Sequence, residues 1–161
     1  MNYLEFAINM ELEGEKYYLD QAEKNKGNSL NTVFLMLAKD ERKHAEFLQK
    51  QIDKLPFQLT TTDTYTKYKS IFNKADDFKI EDRDTVDQLD AYRVALGIEK
   101  DSIELYKKML EESENDDEKL LFKYLIEEEE LHYRIFDGII EHIANAKEWV
   151  ESAEFGIREK Y

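Results

Sequence analysis

Apolar residues recur at intervals of three and four in four separate stretches of this chain, the spacing that lines one face of an α-helix. The first stretch runs from about Tyr3 to Lys24, with Leu4, Ala7, Ile8, Tyr18 and Ala22 on one stripe, and Gly27 offers a left-handed stop. The second runs from about Ser29 to Lys54 through Phe34, Leu37, Leu48, Ile52 and Leu55, and Pro56 cannot continue it. From 56 to 83 the period lapses into a Thr-rich crossover with room for a short helix around Lys67 to Lys74. Thr85 and Gln88 have capping-box spacing and open a third helix, about 85–113, through Leu89, Tyr92, Leu96, Ile103, Tyr106 and Leu110. The segment "NDDE", Asn115 to Glu118, repeats that signal for a fourth, about 116–149, whose stripe is Phe122, Leu125, Ile126, Tyr133, Phe136, Ile140 and Ile143. The tail from Glu148 either extends this helix or packs as an appendage. Short loop, long crossover, short loop describes one all-α domain over 1–161, a four-helix bundle of two antiparallel hairpins.

Each stripe is interrupted by polar residues. Successive helical residues advance about 100°, so the stripe through Phe122, Leu125 and Ile126 places Glu129 and His132 inward, and Glu127, Glu128 and Glu130 toward solvent or the flanks. The second helix has the same Glu-x-x-His interruption, Glu41 and His44, between Leu37 and Leu48. The first and third helices each carry one inward carboxylate, Glu11 and Glu99. Glu11 and Glu41 lie 30 positions apart, as do Glu99 and Glu129, and Tyr18 and Tyr106 each follow their helix's glutamate by seven, so the halves form an internal repeat.

Residues three apart on a helix lie about one turn up and roughly 60° round, so a carboxylate and an imidazole can reach one ion or two adjacent ions. Two such helices faced by two single glutamates offer four carboxylates and two imidazoles to a pair of cations. Four carboxylate charges balance two divalent ions, which makes the reduced site tolerable in a core of low dielectric. Two trivalent ions leave an excess that a bridging oxide or hydroxide would balance. None of the stripes carries Lys or Arg at this level, so a buried ion-pair cluster lacks its cations. Oxygen and nitrogen donors without sulfur suit iron, with manganese a second choice. Without metal, the clustered carboxylates should take up protons with raised, coupled pKa values, and metal binding should release protons and add stability. Tyr18 and Tyr106 are placed to bond the ligand carboxylates across the bundle. Glu15, one turn after Glu11, is either a further ligand or a solvated flank, and His142, preceded by Ile139, breaks the pattern and reads as structural or surface.

Composition narrows the partners. A net charge of −14 repels phosphate backbones and anionic lipid, which argues against nucleic acid and membrane surfaces. No cysteine is present, which excludes disulfides, thiolate metal sites and thiol nucleophiles. The N-terminus has no signal-peptide pattern and no apolar run reaches membrane-spanning length, so a soluble cytoplasmic protein is expected, and bundles with an exposed helix face commonly pair as homodimers.

The segments "NMELEGEKYY", "DERKHAEF", "GIEKDSIELY" and "EEEELHYR" resemble the four helix motifs of the ferritin-like di-iron superfamily, and within it rubrerythrin-type proteins. That resemblance implies a carboxylate-bridged di-iron centre with Glu41 and Glu129 bridging, Glu11 and Glu99 terminal, and His44 and His132 each capping one iron. It implies a diferrous form that reacts with hydrogen peroxide or dioxygen and is re-reduced from outside. A cysteine-rich rubredoxin domain is not seen here, so the electrons should come from a separate protein such as a rubredoxin-like or flavin reductase. The extra helix-three glutamate of rubrerythrins would fall at Ser102, and Arg42 stands where bacterioferritin has its haem-ligating methionine, so no haem is expected. A ferroxidase or iron-storage protein is the second reading, and a non-catalytic metal-binding bundle the third.

Overall fold

The structure, a computed structural model, describes residues 2–73 and 85–159, and the side chains at 72–73, 85–87 and 145–159 lie outside that description. Among the described residues there are five helices and no strand, an all-α, ferritin-like arrangement. The helices are α1 Tyr3–Lys24, α2 Leu30–Ile52, α3 Thr64–Asn73, α4 Thr85–Glu112 and α5 Asp116–Glu159. Helix α1 packs along α2 and α4 along α5, forming two hairpins, while α3, the crossover helix, lies against α2 and α5.

Local chemistry sets the helix ends. Asn2 caps α1 by accepting from the Leu4 amide, and Asn115 caps α5 by accepting from Asp117 and Glu118 at 2.9 and 3.1 Å. Gly27 takes φ +95° in the turn between α1 and α2. Helix α2 stops before Pro56 is reached. Lys54 adopts φ 55°, and the Leu55 amide bonds back to the Lys50 carbonyl at 2.9 Å, a closure that leaves Leu55 54% exposed instead of on the core stripe. Helix α3 begins at Thr64, three residues before the expected start, and α5 continues through the tail as far as Glu159. The capping role expected of Thr85 and the crossover residues 74–83 lie outside the described residues.

The core divides into two apolar layers. One contains Tyr18, Leu30, Phe34, Leu37, Tyr92, Ile135, Phe136 and Ile139, and the other Leu4, Phe47, Leu48, Tyr106, Met109, Leu121, Phe122 and Leu125. Ile139, and not Ile140, is the fully buried member of its turn. Burying each large aliphatic or aromatic side chain contributes roughly 1.5–3 kcal/mol, so both layers hold the hairpins together. Along every long helix the sequence passes from one layer to the other through Glu11, Glu41 and His44, Glu99, or Glu129 and His132.

The crossover is tied down at several points. Phe57 stacks on Phe47 at 5.5 Å between ring centroids, and Tyr124 donates its hydroxyl to the Thr60 carbonyl at 2.6 Å. Helix α3 meets α5 closely enough that a Cβ at Gly138 would overlap the Tyr68 hydroxyl. No helix among the described residues is long and apolar enough to cross a membrane.

Candidate metal centre

The polar layer between the two apolar layers holds four glutamates and two histidines, none more than 3% exposed: Glu11, Glu41, His44, Glu99, Glu129 and His132. They form two groups of four whose ligand atoms lie within 4.8 Å of one another. One group is Glu11, Glu41, His44 and Glu129, and the other Glu41, Glu99, Glu129 and His132. Glu41 and Glu129 belong to both, the placement of carboxylates that could bridge two ions.

Both imidazoles present Nδ1 to this layer. His44 Nδ1 lies 3.1 Å from Glu129 Oε1 and 3.5 Å from Glu11 Oε2. His132 Nδ1 lies 2.9 Å from Glu41 Oε1, 3.4 Å from Glu129 Oε2 and 3.5 Å from Glu99 Oε1. The rings stack at 5.8 Å between centroids. Tyr18 donates its hydroxyl to Glu99 and Tyr106 to Glu11, each reaching from one hairpin to the other.

Three buried carboxylate oxygens, Glu11 Oε2, Glu99 Oε2 and Glu129 Oε2, have no hydrogen-bond partner. Unsatisfied lone pairs converging in a dry layer cost free energy unless a cation fills the space between them. The donor set is oxygen and nitrogen only, and it fits a pair of divalent ions.

Electrostatics in the metal-free protein departs from the simple expectation of raised carboxyls throughout. Burial and the charges of Glu11, Glu129 and Glu99 push Glu41 well above the usual range, and burial with the charge of Glu129 pushes Glu99 up to about 8. Glu11 goes the other way. Burial opposes its ionisation, but contact with the Glu41 carboxyl and the charge of His44 hold it at about 2. Burial likewise disfavours the imidazolium of His44, yet Glu11 and Glu129 pull it up to about 10, and His132 is raised well above its usual value chiefly by Glu99 against the same burial cost. The histidines therefore supply the positive charge that no Lys or Arg provides at this level. A buried ion-pair cluster does have its cations when metal is absent.

Among the neighbours, Glu128 departs from the sequence expectation, and Asp40 joins the site beside it. Glu127 is exposed and Glu130 half-buried, but Glu128 is buried, its Oε2 accepting from Thr62 at 2.7 Å. Asp40 on α2, also buried, accepts from Thr64 Oγ1 at 2.6 Å and lies 3.0 Å from His132 Nε2. Both acids immediately precede the glutamate of a Glu-x-x-His motif, which is the signal that could have marked them. Glu15 stands outside the polar layer, paired with Arg42 through two contacts of 2.8 Å. Ser102 faces inward, but its hydroxyl donates to its own helix at the Ile98 carbonyl, 2.9 Å away. His142 is exposed.

A family model described as Rubrerythrin matches residues 2–140. No curated protein and no solved structure matches the chain.

Proposed function

The chain belongs to the rubrerythrin family, a ferritin-like di-iron family, and on that footing we propose that it is a non-haem di-iron oxidoreductase that reduces hydrogen peroxide with electrons from a separate donor protein. The observation that carries this reading is the pair of four-residue groups sharing Glu41 and Glu129. Glu41 and Glu129, common to both groups, would be shared by two ions, Glu11 and Glu99 would each hold one, and His44 and His132 would each offer Nδ1. Two ferrous ions bound by these residues would supply two electrons, enough with two protons to reduce one hydrogen peroxide to two waters.

The chain's own part is to hold geometry and exclude solvent. Tyr18 and Tyr106 fix the terminal carboxylates by hydrogen bonds that leave the second oxygens of Glu99 and Glu11 free for an ion. The apolar layers keep the site dry, which strengthens each charge interaction within it and protects the reduced form from competing reactions. A rubredoxin-like protein or a flavin reductase suits the donor role, since the chain has no cysteine with which to build an iron–sulfur centre of its own.

The test is an anaerobic ferrous titration followed by rapid mixing with peroxide or with air. Saturation near two irons per chain and faster oxidation by peroxide than by air are expected. Oxidation by air as fast as by peroxide would instead point to a ferroxidase, and uptake continuing well past two irons to storage.

A further inference from the structure

The internal repeat extends to the hydrogen bonds, and it fails at one place. Tyr18 to Glu99 is matched by Tyr106 to Glu11, and His132 Nδ1 beside Glu41 Oε1 is matched by His44 Nδ1 beside Glu129 Oε1. The outer nitrogens are not matched. His132 Nε2 lies 3.0 Å from Asp40 Oδ2, which comes across from the facing helix. By the same operation His44 Nε2 should meet Glu128, the residue that occupies Asp40's place in the other half. It has no hydrogen-bond partner, although His44 is fully buried.

The crossover accounts for the difference. Thr62 donates to Glu128 Oε2 at 2.7 Å and Thr64 to Asp40 Oδ2 at 2.6 Å, so both outer carboxylates are drawn to the side of His132. Asp40, Glu128 and His132 accordingly form a close group of their own. Each acid in it accepts a threonine hydroxyl, and of the two it is Asp40 that lies within hydrogen-bond reach of the imidazole. Tyr124, edge-on to His44 at 6.0 Å between centroids, takes the space on the other side, with its hydroxyl turned away to Thr60.

We propose that Asp40 is a positioning residue that makes the two cation positions unequal, so that the group containing His132 fills first and more tightly than the group containing His44. A carboxylate oxygen accepting from Nε2–H fixes the His132 tautomer, leaves the Nδ1 lone pair for the cation, and stops the ring from rotating. His44 has no such constraint and must be oriented at the expense of binding energy. The proposal deepens the dinuclear reading and rests on it.

Cobalt(II), added to the metal-depleted full-length chain in competition with a chelator and followed by its visible absorption, separates the possibilities. The natural sequence should bind two ions in two resolved steps. Asp40→Ala should weaken the tighter step about 10–100-fold, the usual cost of removing such a partner, and leave the weaker one within about twofold. Asp40→Asn, which keeps an acceptor oxygen, should restore part of the loss, and Glu128→Gln should change neither step by more than about twofold. Thr64→Val, milder for the fold, should weaken the same step as Asp40→Ala. Two equal steps in the natural sequence would overturn the proposal, as would an Asp40 variant that lowers both steps alike or neither. Absence of any cobalt binding would remove the dinuclear reading itself, a different result from two equal steps.

Discussion

Tyr106 on α4 donates its hydroxyl to Glu11 Oε1 on α1 at 2.5 Å, and Tyr18 on α1 returns a hydroxyl to Glu99 on α4. Helices α1 and α4 belong to different hairpins and touch each other little elsewhere. The two tyrosines are therefore joints between hairpins as well as supports for carboxylates. Each is anchored in one of the apolar layers, Tyr18 against Phe34 and Phe136 and Tyr106 against Phe122. Packing of the layers and assembly of the polar cluster are thus one event.

Tyr106→Phe keeps the ring and removes only the donor, leaving Glu11 Oε1 buried without its partner. A hydrogen bond to a charged group contributes roughly 1.5–3 kcal/mol, so urea denaturation of the metal-free variant should show a loss of that order. Cation affinity should fall as well, because the Glu11 carboxylate becomes free to turn. A loss below about 0.5 kcal/mol with unchanged affinity would mean that the hydroxyl contributes nothing beyond packing.

The pH dependence of the metal-free protein should run opposite to that of an ordinary acidic protein at high pH. Glu99 at about 8 and His44 at about 10, together with the raised Glu41 and His132, bind protons more tightly folded than unfolded. Stability from the His44 imidazole is complete below its unfolded value of 6.5 and disappears as pH climbs through about 10, and His132 contributes with the same sign. Glu99 adds the same sign between 4.5 and about 8, and Glu41, raised as well, likewise loses its contribution as pH rises. Glu11, at about 2, contributes above 4.5 and loses its share as pH falls toward 2. The metal-free protein should be most stable near pH 5 and lose several kcal/mol by pH 9. Melting temperatures measured after chelation should fall steadily over that range. Metal loading displaces these protons and should raise the alkaline melting temperature most, so a flat or rising metal-free profile would contradict the assignment of charge.

Much of this was legible in the sequence because helical periodicity makes an inward polar residue conspicuous. Glu129 and His132 break a stripe that Leu125 and Phe136 define, and the 30-residue spacing repeats the break in both halves. Glu128 and Asp40 were not legible by the same rule. Their burial depends on the crossover, whose Thr62 and Thr64 lie 66 and 24 residues away and cover a helix flank that periodicity alone assigns to solvent. Periodicity puts Leu55 on the core stripe because the left-handed turn at Lys54, a non-glycine residue, leaves little trace in sequence.

Gly14 offers the sharpest separation of fold from site. It lies buried on α1 one turn beyond Glu11, and a Cβ there would stand 3.1 Å from Glu41 Oε2, closer than ordinary contact. Alanine in a helix interior is favoured over glycine by about 1 kcal/mol, so Gly14→Ala should leave the metal-free melting temperature unchanged or slightly higher. The same methyl requires the Glu41 carboxylate, common to both four-residue groups, to give by a few tenths of an ångström. Binding of both cations should weaken together, by about tenfold, the lower end of what contacts just outside a metal site control. Isothermal titration with a divalent ion alongside a thermal melt reads the two effects separately. A variant as tight-binding as the natural sequence would show that Glu41 has slack in its position, and a variant that melts much lower would show that helix packing, and not the carboxylate, requires the glycine.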